Sequence, residues 1–382
     1  MYAIFVLRVL LWLCLYVPIS TSRQSSNIDQ RSPQYQHLPD CSNYTPIRKL
    51  TNRKAGVCVL IKDEEGFLTE FVAFYIVQGV DHLIFYDDNS TDNGLSELAP
   101  WVNAGFVSIN RAGEWDGYRG ASAQTWGQQM AQKKMMERDC KLTLHKWGYD
   151  YHISVDLDEY ELPFQENITL VDEIHRMFQK YPTRGTFNVN KLQFNSQPHI
   201  LEPFDKLMIE AYQNRFGIIN KFTPKKSLMR KSVYWLTNPN YSNDTLKFIL
   251  ECCTFHSCKQ GPLSFCWDLQ KTELQNVFNA PWPESSFIIN HYARSLEKFA
   301  LKQKTWKQHV NAGYDISKYF ERSHGWTFDN SALRYACQTR RVIANVTGQR
   351  NFNRQGNWIR KYELGKNSFI HQPLLSESSP FS

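Results

Sequence analysis

In the segment YHISVDLDEYELP, residues 151–163, three carboxylates, Asp156, Asp158 and Glu159, closely follow the short run Tyr151–Val155. A strand alternates its side chains, so a strand continued through this segment points Asp156 and Asp158 to the same side. Two carboxylates on one side of a strand's end are costly in a core and well suited to a hard divalent cation, Mn2+ or Mg2+. A cation held there can neutralise a diphosphate and act as a Lewis acid on its departure. Two further polar clusters complete the set. Lys62, Asp63 and Glu64 follow the apolar run VCVLI at 57–61, and Asp87, Asp88, Asn89, Ser90 and Asp92 follow HLIFY at 82–86. Lys62, Asp63, Glu64 and Asp87 have the hydrogen-bonding groups to grip a base and a ribose.

Strand-length apolar runs at 57–61, 82–86 and 106–110 alternate with helical patterns in GFLTEFVAFYIVQG and LSELAPWV. Phe67, Phe71, Phe74 and Tyr75 fall near one face of the first helix and Gly79 offers its stop, while Thr91 or Asp92 suits the start of the second. Strand, helix, strand, helix, strand within about fifty residues predicts a parallel sheet with right-handed crossovers. Ligands in such sheets sit beyond the carboxyl ends of the strands. All three polar clusters lie at such ends, which predicts that they meet on one edge. Gln124 to His145 reads as a further helix, and Thr186 to Phe194 and Lys247 to Leu250 read as strands. Residues 287–306 read as an apolar strand followed by a helix that Ser295 would cap.

The remaining composition sets the compartment and excludes some classes. The chain has 382 residues, 42% hydrophobic and 14% aromatic, enough for a sizeable core. Its 44 basic residues are scattered and give a net charge of only +7, without the basic stripe of a nucleic-acid binder. Glycine-rich phosphate loops and a serine nucleophile elbow are absent. Residues 1–20, MYAIFVLRVLLWLCLYVPIS, are almost wholly apolar and read as either a cleaved signal peptide or a single membrane anchor. Residues 21–50 are polar and read as a stem or linker, and residues 321–382 as a weakly patterned C-terminal extension. Six N-x-S/T sequons stand at Asn43, Asn89, Asn167, Asn240, Asn243 and Asn345. Of nine cysteines, Cys252, Cys253, Cys258 and Cys266 crowd together. In an oxidising lumen that cluster is expected to be disulfide-bonded, the alternative being zinc on Cys253, His256, Cys258 and Cys266. Cys58, inside an apolar strand, is expected as a buried thiol.

The segments VCVLIKDEEGFLTEFVAFYIVQGVDHLIFYDDNSTD, YHISVDLDEYELP and INHYARSLEKFALKQKTW together resemble glycosyltransferase family 92 and its family-2-like relatives, over roughly residues 56 to 306. The resemblance implies a GT-A fold: a single large α/β domain, residues 51–320, with a Rossmann-like, mostly parallel sheet flanked by helices. It further implies a UDP-sugar donor, often UDP-galactose, metal dependence and inversion at the anomeric carbon. Carried over residue by residue, Lys62, Asp63 and Glu64 match the donor-binding turn, with Asp63 in place of the commoner Asn. Asp87, Asp88, Asn89, Ser90 and Asp92 match the second nucleotide loop, Asp156 and Asp158 the metal pair, and His291 a further metal ligand. With Asn89 inside the donor loop, its sequon is expected to carry no glycan.

Inverting transfer needs a general base. Glu202, Asp205, Glu210 and Glu251 are candidates, as is His256. Tyr292, Trp115, Trp126 and Trp306 have rings that stack on sugars, though core packing explains each as well. The expected function is transfer of a hexose, galactose first, from UDP to a glycan or glycoprotein acceptor, with the domain luminal in the Golgi or secreted. The alternatives are a catalytically inactive glycan- or nucleotide-sugar-binding protein on the same fold, and a nucleotidyltransferase that makes activated sugars.

Overall fold

The computed structural model describes residues 40–111, 113–114, 126–194, 202–203, 205–216, 231–253, 286–292, 294, 326–350 and 352. These lie in one compact unit, Pro39–Gly356. Among the described residues, ten strands and five helices of nine residues or more build it. The strands are β1 (Ala55–Ile61), β2 (His82–Asp87), β3 (Val107–Asn110), β4 (Tyr151–Ser154), β5 (Glu159–Pro163), β6 (Thr186–Phe194), β7 (Asn214–Phe216), β8 (Lys231–Trp235), β9 (Phe287–Tyr292) and β10 (Trp326–Phe328). The helices are α1 (Leu68–Val77), α2 (Trp126–Lys146), α3 (Leu170–Lys180), α4 (Asn243–Glu251) and α5 (Ala336–Thr347).

The sheet runs β10-β7-β6-β8-β4-β1-β2-β3. Its β4-β1-β2-β3 half is parallel, as the alternation predicts, and β8 then joins β4 and β6 antiparallel. The first half of β6, Thr186 to Val189, pairs with β8, and its second half, Asn190 to Phe194, pairs with β9. One strand therefore links the central sheet to the β5-β9 arm.

Helix α1 is buried on nearly every side, which an all-round apolar helix requires. One side meets Tyr160 of β5, whose ring centroid lies 4.8 Å from that of Phe74, and α5 packs against the helix as well. Gly79, at φ 85°, ends α1 in the left-handed region that only glycine enters cheaply. At Gly56 a Cβ would come within 2.4 Å of Leu144, so the glycine lets α2 lie directly on β1. Tyr292 is fully buried against Tyr160 and Phe194, a core residue rather than a sugar platform.

Three expectations need correction. Lys247–Leu250 is not a strand but part of α4, whose start Ser242 caps by accepting from the Thr245 N–H at 3.1 Å. Cys58 is not a free thiol: it is bonded to Cys140 of α2. Contacts also join the segment before β1 to α5, and β10 to β7. Cys41 is bonded to Cys337, the Ile47 N–H donates to Gln338 Oε1 at 2.9 Å, and β10 pairs with β7. Finally, β4 ends at Ser154, so Asp156 and Asp158 sit in the turn before β5 rather than on a strand. The buried Leu157 between them still leaves both carboxylates on the more open side.

Residues 1–39 and Ser295, His256, Trp115 and Trp306 lie outside the described residues. Among the described residues no helix is long and apolar enough to cross a membrane.

Candidate active site at the carboxyl edge of the sheet

Parallel pairing aligns the ends of β1, β2 and β4, with Ile61 opposite Asp87 and Cys58 opposite Ser154. The three polar clusters therefore meet at one edge. The turn after β1 and the loop after β2 are sewn together: the Asp63 N–H donates to Ser90 Oγ at 3.0 Å, and the Thr91 N–H to Asp63 Oδ1 at 2.7 Å. The Ser90 N–H donates to Asp87 Oδ1 at 3.0 Å and the Glu65 N–H to Asp92 Oδ2 at 2.7 Å. Asp63, Ser90, Asp87 and Asp92 thus shape the loops. Lys62 and Asn89 are the exposed members of the set. The Lys62 ammonium lies 3.6 Å from Asp88, whose carboxyl burial pushes up and Lys62 pulls back down.

Three of the four non-glycine residues with positive φ among those described, Asp63, Asn89 and Arg294, are at this edge. Left-handed backbone in such residues costs about 1–3 kcal/mol each and persists only where the surroundings impose it.

The acidic turn is held from both sides. The Asp156 N–H donates to Glu159 Oε2 at 2.7 Å, and Lys191 of β6 forms an ion pair with the same carboxylate. Glu159, His291 and Gln193 face one another across β5, β9 and β6. Gln193 Oε1 lies 2.7 Å from His291 Nδ1, and His291 Nε2 lies 3.6 Å from Asp158 Oδ1. Burial holds the imidazole below its usual pKa, against the pull of Asp158, so it is neutral at neutral pH. With Nδ1–H donated to Gln193, Nε2 presents a lone pair toward a carboxylate oxygen. Two acceptors that face each other across such a gap fit a divalent cation between them.

Asp156 does not join them. Its Oδ1 is ion-paired with Lys133 of α2. Asp156, Asp158 and His291 are not a three-ligand cluster: among the described residues only Cys58, Cys140 and His152 bring their ligand atoms within 4.8 Å of one another. There the two sulfurs are bonded together, which removes them as ligands.

Residues that the sequence reading passed over complete the edge. Gln132 Nε2 donates to Asp88 Oδ1 at 3.3 Å, one position before Lys133. Arg294, 1% exposed, pairs with Glu64 and lies 4.1 Å over the Phe67 ring. Burial disfavours its charge, but Glu64 and Asp158 outweigh it and hold the guanidinium firmly protonated. Arg294 stands in the segment INHYARSLEKFALKQKTW, where the sequence could have shown it. Gln193 and Lys133 carry no local signal.

The base candidates separate. Glu210 is held by Arg340 and caps the Leu207 N–H, and Glu251 lies 3.9 Å from Arg138. Asp205 is exposed. Glu202 is buried, accepts from the Tyr212 hydroxyl at 2.8 Å, and is the one whose charge reaches Arg294. Cys252 and Cys253 are disulfide-bonded, which sets aside zinc on Cys253.

Among solved structures the chain is similar to S. aureus TarS 1-349 in complex with UDP, with 12% identity over 78% of this chain and 71% of that one, at a TM-score of 0.34. TarS 1-349 in complex with UDP-GlcNAc matches at 13% identity over 48% and 45%, at 0.28. Glucosyl-3-phosphoglycerate synthase from Mycobacterium tuberculosis, in complex with Mn2+, UDP and glucosyl-3-phosphoglycerate, matches at 13% over 37% and 44%, at 0.24. The chain spans about half the length of the TarS chain in complex with UDP-GlcNAc. No curated protein matches it. The family model of glycosyltransferase family 92 matches residues 53–256, more than half of the chain, and the chain belongs to that family.

Proposed function

We propose that this chain transfers a hexose, galactose first among candidates, from a UDP-sugar to a glycan acceptor, with inversion, in the lumen of the secretory pathway. The observation that carries the metal-dependent part is the pair of facing acceptors, His291 Nε2 and Asp158 Oδ1, 3.6 Å apart. In this reading Asp158 and His291 hold Mn2+ or Mg2+, with Asp156 as the adjoining carboxylate. When bound, such an ion neutralises the diphosphate and assists departure of UDP.

The chain's own residues do the rest. Gln193 fixes the imidazole tautomer. Lys62 and the loop 87–92 receive the nucleoside end of the donor. Arg294 supplies a fixed positive charge behind Glu64 and Asp158. A Golgi location, with residues 1–20 as a signal or anchor, is supported by the Cys41–Cys337 and Cys58–Cys140 bonds and by six exposed sequon asparagines.

The test mixes purified luminal protein with a panel of UDP-sugars and Mn2+ and follows UDP release. Release from one donor, abolished by chelator and by Asp158→Asn, supports the proposal. Donor binding with no turnover on any glycan tested would favour the inactive binding protein instead.

A further inference from the structure

Helix α2 is fastened to the sheet along its length. Gln132 bonds Asp88, Glu137 accepts from Ser154 Oγ, Asp139 accepts from the Tyr86 hydroxyl at 2.7 Å, and Cys140 is bonded to Cys58. The backbone at Lys133 is therefore held in place, and a flexible four-carbon stem delivers its ammonium. That side chain, 15% exposed, carries its ammonium onto Asp156, whose side chain is 36% exposed. Asp156 is thereby turned to Lys133 instead of converging with Asp158 and His291. The positive charge that the acidic turn requires is already present, supplied by the protein.

We infer that Lys133 is a tethered counter-cation that competes with a divalent metal for Asp156. Without metal, Lys133 holds Asp156 and keeps the acidic turn folded. When a divalent ion is taken up by Asp158 and His291, Asp156 is given over to it and the ammonium swings toward the donor's diphosphate, within reach of the same turn. Lys133 acts as a positioning residue, setting how tightly the metal binds in the absence of donor. The inference rests on the metal reading of Asp158 and His291.

The experiment measures binding of Mn2+ alone, by calorimetry or electron paramagnetic resonance, to wild type, Lys133→Met, Lys133→Gln, Lys133→Arg and Asp158→Asn. Losing a part-buried competitor of this kind tightens Mn2+ binding on the order of three- to tenfold in the Met and Gln variants. Lys133→Arg keeps the charge and stays within about twofold of wild type. Two neutral variants are used so that a folding defect in one, read from its thermal melt, does not decide the outcome. If both bind Mn2+ no more tightly than wild type while Asp158→Asn loses it, the competition is refuted and the metal site stands. If Asp158→Asn binds Mn2+ as wild type does, the metal site and the competition fall together.

Discussion

Gln193 offers the sharpest test of the site's geometry. Its Oε1 lies 2.7 Å from His291 Nδ1, and the two residues are opposite each other on neighbouring parallel strands, so neither can drift. Gln193→Leu removes the acceptor and leaves the volume nearly unchanged. A neutral hydrogen bond of this kind is worth about 1 kcal/mol, and a buried N–H left without a partner costs about 1–3 kcal/mol. The imidazole escapes that cost by rotating or by moving its proton to Nε2, and either change withdraws the lone pair from the side of Asp158. Loss of such an orienting partner costs a metal ligand about 10- to 100-fold in affinity. Calorimetric titration of Mn2+ into Gln193→Leu should therefore give a dissociation constant raised by at least about tenfold. Gln193→Glu, which keeps an acceptor, should remain within a few-fold of wild type. A Gln193→Leu variant that binds Mn2+ within twofold of wild type would refute the claim that this bond sets the imidazole.

Two predictions concern the scaffold behind the site. Cys58 and Cys140 are 82 positions apart, and the loop-entropy relation gives about 4.5 kcal/mol for a cross-link of that span. The double variant Cys58→Ala, Cys140→Ala should melt roughly 10 °C lower by calorimetry, and a loss under about 3 °C would contradict the entropic account. Glu97 accepts from the N–H groups of Gly66 and Thr69 ahead of and within α1, and burial raises its carboxyl from an ordinary 4.5 to about 7. Between those values the folded protein holds a proton that the unfolded chain releases, so this group's contribution to stability falls as pH rises. Urea midpoints at pH 5 and pH 8 should accordingly diverge less in Glu97→Gln than in wild type, and an equal divergence would count against that carboxyl.

Much of the carboxyl edge was legible because parallel strands leave a strong local record. VCVLI and HLIFY are apolar on both faces, which marks buried parallel strands, and the polar residues after them can only be at their ends. The acidic turn was legible for the same reason, although the strand alternation was carried past Ser154, where the strand ends. What the sequence concealed depends on pairings across long separations. Gln193 is 98 positions from His291, and only the register of β6 against β9 brings them together. Lys133 looks like any surface lysine of a polar helix until α2 is laid across β4. Helix α4 was misread because FIL is a short apolar run that fits a strand or a helix equally, and the deciding signal was the cap, Ser242, which is also the last residue of the Asn240 sequon. Helix α5 reads as polar because only a narrow side, with Ala336, Cys337, Thr339 and Ile343, is buried.

The bond between Cys41 and Cys337 has a consequence for how the folded unit can be shed. A protease that cuts the exposed segment after residue 41 divides the polypeptide without releasing it, since the sulfur link keeps the leading piece on α5. Separating the preceding residues from the folded unit without a reductant therefore demands cleavage upstream of Cys41. Nicked material should migrate as one band until a reductant separates it.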